Sequence, residues 1–140
     1  MFVFLAAKKS KPAAPNCRLE NFTKKISKKA YMEIADSAFS RMRGLMFRDE
    51  IIPILFIFDS VGKFPIHSNF VKDVFDAIYL SKEGEVVEML RKIPPNVQLV
   101  SPKKDAAYLL ELPVYLTDEL KIKEGNVIRW TMEKGIVHRK

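Results

Sequence analysis

Cysteine is nearly missing from this chain: Cys17 stands alone among 140 residues. One thiol cannot close an internal disulfide, and no Cys/His spacing of the zinc type accompanies it. That usage suits a reducing compartment. Glycine is also scarce, five residues scattered singly, so no glycine-rich loop is present to cradle a phosphate. With two histidines far apart there is no His-Glu-x-x-His metal helix. No cofactor or metal is therefore expected. Long apolar runs are lacking too. The opening Met1-Phe-Val-Phe-Leu-Ala-Ala falls far short of the ~20 residues of a membrane span. No cationic segment precedes it, as a secretion signal requires. The expected place is the cytoplasm, with a truncated export signal or membrane anchor left open at the start.

Acidic charge is missing from one end. Residues 1–30 carry Glu20 alone against Lys8, Lys9, Lys11, Arg18, Lys24, Lys25, Lys28 and Lys29, the whole of the formal +7. The other 110 residues hold sixteen basic and sixteen acidic side chains, which gives no global electrostatic reason to bind nucleic acid. Residues 1–29 read as a flexible basic arm, with the Lys/Ala/Pro-rich stretch from Lys8 to Pro15 as a linker. RNA or anionic membrane contact through residues 8–29 is open. A solubilising tail is the favoured reading, because no aromatic platform lies among the first lysines. Residues 30–133 then form one globular domain, and 134–140 a tail. A chain this long buries enough surface to need no covalent staple.

What is present is concentrated between Asp36 and Arg48. Asp36 and Ser37 are good helix N-caps, and Gly44 is placed to end the helix. Ala38, Phe39, Met42, Leu45 and Met46 recur at helical spacing as an apolar stripe, with Ser37, Arg41, Gly44 and Arg48 on the other side. Arg41 is expected on a solvated face. Arg43 and Arg48 sit among large apolar residues, where a guanidinium pairs with a carboxylate or binds an anion.

Arg43-Gly44-Leu45-Met46-x-Arg48 is followed by Ile66-His67-Ser68-x-Phe70-Val71 and Asp76-Ala77-Ile78-Tyr79-Leu80, then Tyr108-Leu109-Leu110-Glu111-Leu112 and Gly125-Asn126. In that order, from about Lys29 to Met132, these motifs resemble the uncharacterised family catalogued as domain of unknown function 192. The chain departs from the pattern at Val74, Tyr115 and Asn126, where proline, glycine and aspartate are usual. The resemblance implies a small, mostly β domain with little helix, and no reaction.

The residues themselves suggest the same class. Ala30–Ala35, Ile54–Phe58, Phe64–His67, Ala77–Leu80, Glu85–Leu90, Ala106–Leu112 and Val127–Met132 read as short strands bounded by turn residues. Ser81-Lys82-Glu83-Gly84 reads as a hairpin turn, and Thr117–Leu120 as a short helix. The expected fold is mostly β, α+β in class: a barrel-like or sandwich-like sheet with one or two short helices.

Asp76, flanked by Phe75 and Ala77, needs a partner if buried, and Arg43 or Arg48 is the expected one. His67 has a pKa suited to general-base work, and Ser68 lies beside it without a nucleophile-elbow motif. Glu111 reads as the outward residue between Leu110 and Leu112, or as facing Lys121 or Lys123. The leading expectation is a module binding a small polar or anionic ligand beside the Arg-Gly-Leu-Met helix, through Arg43, Arg48, His67, Ser68 and Asp76. The alternatives are a hydrolase using His67 and Asp76, and an interaction protein working through the arm.

Overall fold

The computed structural model describes residues 13–133. The expected tail at 134–140 and the first twelve residues of the expected arm lie outside the described residues. Strand β1 (Cys17–Asn21) pairs antiparallel with β2 (Ile26–Ala30) on one side and with β8 (Ile128–Met132) on the other. This three-stranded sheet corrects the expectation that flexibility extends to residue 29. Its alternation was hidden because β1 inserts charges between buried Cys17, Leu19 and Asn21. Several basic residues of the expected arm are accordingly fixed: Arg18 donates to Ser27, Lys24 to the Lys121 carbonyl, and Lys28 pairs with Glu119.

The second sheet has five strands in the order β3-β4-β7-β5-β6. They are β3 (Glu33–Ala35), β4 (Ile54–Gly62), β5 (Phe75–Leu80), β6 (Val86–Ile93) and β7 (Ala106–Leu112). All neighbours are antiparallel except β3 and β4. Among the described residues neither sheet closes into a barrel, so the layered form of the expected fold applies. The expected strand at Phe64–His67 is reduced to a single bridge between Ile66 and Val100. Helix α1 (Ala38–Arg43) lies between β3 and β4, and α2 (Val114–Glu119) follows β7 with Pro113 at its N-cap.

Period-two alternation sends the central strands' side chains to two different cores. Leu55, Ile78, Leu80, Leu110 and Leu112 join Leu19, Met32, Leu116, Leu120 and Ile128 in one. Ile54, Phe56, Ala77, Tyr79 and Leu109 join Leu45, Val71 and Phe75 in the other. The central strands are thus covered on both faces. That is why β5 reads Phe-Asp-Ala-Ile-Tyr-Leu and is buried throughout. The second core lies on the α1 side, and its covering is incomplete.

Candidate functional site

The α1 segment sets the geometry. Ser37 caps the helix, accepting from the Ser40 N–H, and the Ser40 hydroxyl accepts from the Ser37 N–H. Gly44 ends it at φ 44°, as its position in the sequence implied. The same glycine gives clearance. A Cβ there would lie 3.1 Å from Phe56 Cζ and 3.7 Å from Glu111 Oε1. Gly44 therefore brings the turn down over the sheet where β4 and β7 meet.

The apolar stripe of α1 does not enter the core. Phe39 is 70% exposed and Met42 63%, and no α1 residue is buried. A helix of six residues ending at Gly44 covers too little of the sheet, and the chain beyond the glycine does the packing through Leu45. Beneath this partial cover is a cavity of about 520 Å³. Leu45, Phe56, Phe58, Phe64, Ile66, Val71, Phe75 and Leu109 wall it; Arg41, Arg43, Asp59, Ser60 and His67 line it together with Glu111. Phe58 and Phe64 stack with ring centres 3.8 Å apart. The Phe64 wall is held from inside the sheet, because buried Tyr79 donates its hydroxyl to the Phe64 carbonyl at 2.8 Å.

Glu111 is the unusual group. It is 4% exposed, lies opposite Ile54 on β4 and Ala77 on β5, and lines the cavity. Its carboxyl forms no hydrogen bond with the described residues. Burial pushes its pKa up to about 8, and the charge of Arg48 only partly opposes that shift. The expected outward position is corrected. The alternation was right, but the face opposite Leu110 and Leu112 is roofed by the α1 turn.

The sequence candidates divide. Arg43 and His67 line the large cavity, and Arg43 also lines a smaller one of about 90 Å³ with Arg48 and Glu33. Arg43 is exposed, and the His67 Nδ1 accepts from the Asn69 N–H at 3.1 Å. Arg48 is committed: its two terminal nitrogens bond both Glu33 oxygens at 2.9 and 2.8 Å, and its Nε donates to the Gly44 carbonyl. Ser68 is buried outside both cavities, donating to the Pro94 carbonyl and accepting from the Val97 N–H.

Asp76 corrects the expected ion pair. Its partner is neither Arg43 nor Arg48 but Arg91, whose Nε lies 3.1 Å from Oδ2, off the line of a hydrogen bond. The other oxygen accepts from the Lys92 N–H at 2.8 Å. The reason is a register shift: β5 takes two steps from Phe75 to Ala77 while β6 takes three from Ile93 to Leu90. The extra residue turns Lys92 to φ 53°, and Asp76 satisfies the freed N–H. Asp76 lines neither cavity, so it forms no dyad with His67. Arg41, expected in solvent, donates to the Ile57 carbonyl and pairs with Asp59 at the cavity rim. Among the described residues no group of three or more His, Cys, Asp and Glu could hold a metal ion, and no helix is long and apolar enough to cross a membrane.

Fold and cavity together define a small two-sheet α+β domain with a ligand-sized, apolar-walled recess under a glycine-terminated helix. The chain belongs to the family described as Uncharacterized ACR, domain of unknown function 192, whose profile matches residues 20–130. It is similar to a UPF0127 protein of Pyrococcus abyssi, 32% identical over 112 residues, covering 79% of this chain and 94% of that one. A UPF0127 protein of Thermococcus sibiricus is 34% identical over 106 residues, 74% of this chain and 68% of the other. Two crystal structures share the fold. One is of a putative transcription regulator from Sinorhizobium meliloti, with TM-score 0.73 and 18% identity, covering 86% of this chain and 95% of that one. The other is of a protein of unknown function from Novosphingobium aromaticivorans, with TM-score 0.69 and 18% identity, covering 93% and 100%. At that identity the likeness is one of fold.

Proposed function

We propose that this protein is a small-molecule-binding module whose ligand occupies the recess beneath α1. The supporting observation is the combination of an apolar-walled cavity of about 520 Å³ with a few polar groups in its lining, from exposed Arg43 to buried Glu111. Such recesses, of roughly 300–1,000 Å³ with sparse polar anchors, are the usual form of a ligand site. The exposed end carries Arg43 and Arg41, the latter balanced by Asp59, which favours a ligand with an anionic or polar outer end. The walls require an apolar body. Arg43 and His67 stay as ligand-contacting residues in this reading; Arg48, Ser68 and Asp76 act as supports.

The test is titration with 1-anilinonaphthalene-8-sulfonate, an aromatic body with one anionic group. Binding at a single site is expected. Ile66→Trp, which fills the recess, should abolish it, and Arg43→Glu should weaken it on the order of tenfold. Absence of saturable binding, or binding untouched by Ile66→Trp in a folded variant, would end the proposal.

A further inference from the structure

The molecule holds several buried polar groups besides Glu111; the Thr117 hydroxyl has no hydrogen-bond partner among the described residues and lines neither cavity, and the others have a structural partner. Glu88 accepts from the Lys103 and Lys104 N–H groups. Asn21 donates to the Leu120 carbonyl and to Asn126 Oδ1, and Asn16 bonds both the N–H and the carbonyl of Met32. Asp76 is fastened to Lys92 and Arg91. Only Glu111 combines near-complete burial, a cavity wall and no hydrogen bond to a described residue. The two sealed oxygens without a hydrogen bond among the described residues are Asp76 Oδ2 and Thr117 Oγ1, neither of them at a cavity, whereas the Glu111 carboxyl lines the recess, where an entering group can satisfy it.

We propose that Glu111 reads the inner end of the ligand: as a neutral carboxyl it donates its O–H to an uncharged carbonyl oxygen, and the site discriminates against ammonium heads. This rests on the ligand-binding reading above.

The surroundings support the neutral form. From β4, Ile54 and Phe56 face Glu111, and from β5, Ala77 and Tyr79 share its side of the sheet. Neither set brings an ionised partner. Tyr79 holds its proton, its pKa raised by burial first and by the Glu111 and Glu88 charges after that. From the α1 side come Arg48, already bound bidentate by Glu33, and Arg41, Arg43 and Gly44 at the recess. Across the recess lie Asp59, paired with Arg41, and His67. A protonated carboxyl beside apolar walls keeps one strong donor directed at whatever enters. An ammonium head would have to draw the proton off Glu111 and form a buried ion pair, after passing the guanidinium groups of Arg41 and Arg43. Desolvation and like charge both oppose that.

The experiment uses two probes of equal carbon number, 2-octanone as a pure acceptor and octylammonium as a pure donor, titrated by calorimetry into the full chain. Near pH ~6, well below the Glu111 pKa of about 8, the ketone should bind more tightly than the amine. Raising the pH to ~9.5 should weaken ketone binding on the order of tenfold, because the carboxylate form has no proton to donate. Glu111→Gln keeps a donor of the same shape, so it should retain ketone binding and lose the pH dependence. A ketone profile that is flat in the natural protein, or equally steep in Glu111→Gln, overturns the inference, as does tighter amine binding near pH ~6. If the naphthalene sulfonate binds in these cases, the pocket reading stands and only the role of Glu111 falls. If no probe binds, both fall.

Discussion

Replacing Glu111 by glutamine should stabilise the protein, and by an amount that depends on pH. The Glu111 carboxyl has an ordinary value of 4.5 in the unfolded chain and is raised to about 8 by burial in the folded one. Below pH 4.5 both states hold the proton and the folded state incurs no ionisation penalty. Between 4.5 and about 8 the unfolded chain ionises while the native one stays protonated, so stability falls as pH rises. Above about 8 both are ionised and the loss levels off. At ~1.4 kcal/mol per pH unit, the accumulated loss is about 3 kcal/mol at neutral pH and on the order of 5 kcal/mol on the alkaline plateau. Glutamine never ionises and fits the same space. The difference between natural protein and Glu111→Gln, measured by urea denaturation at a series of pH values, isolates this one group from every other titration. It should be near its minimum at pH ~4.5, grow through neutrality and flatten above about 8. A difference that stays constant with pH, or that grows as the solution is acidified, would refute the burial argument and the neutral carboxyl together.

Other substitutions separate structure from site. Asp76→Ala should cost about 3 kcal/mol in the same assay, since it removes a fully buried carboxylate from Lys92 and Arg91, while Arg43→Ala should stay within about 0.5 kcal/mol. Equal losses would mean that the roles assigned to these two residues are mistaken. Gly44→Ala places a side chain at φ 44° and 3.1 Å from Phe56, and should destabilise by ~1–3 kcal/mol with a matching drop in Tm. No change in Tm would contradict the close approach of this turn to the sheet. Cys17 is fully buried, and burial followed by the nearby Glu133 charge raises its thiol pKa to about 11. It should resist Ellman's reagent in the native protein near pH ~8 and react once denaturant unfolds the chain; rapid native labelling would place the thiol at the surface instead.

Local sequence determined a good part of this protein. The Ser37 cap, the Gly44 stop and the strands around Ile54–Phe58, Ala77–Leu80 and Ala106–Leu112 follow from spacing and turn chemistry, which act within a few residues. Arg43, Gly44 and His67, which stand out in the sequence, all line the cavity. Which charges meet was decided by the tertiary structure alone. Asp76 and Arg91 are brought together by a register shift between two strands, and Arg48 meets Glu33 because β3 runs beside β4. The reversal at Glu111 has the same origin. Alternation fixes which face of a strand a side chain takes, but only the packing of the α1 turn onto that face makes it an interior. An acid among leucines was the visible signal, and its meaning depended on a roof built from residues more than sixty positions away.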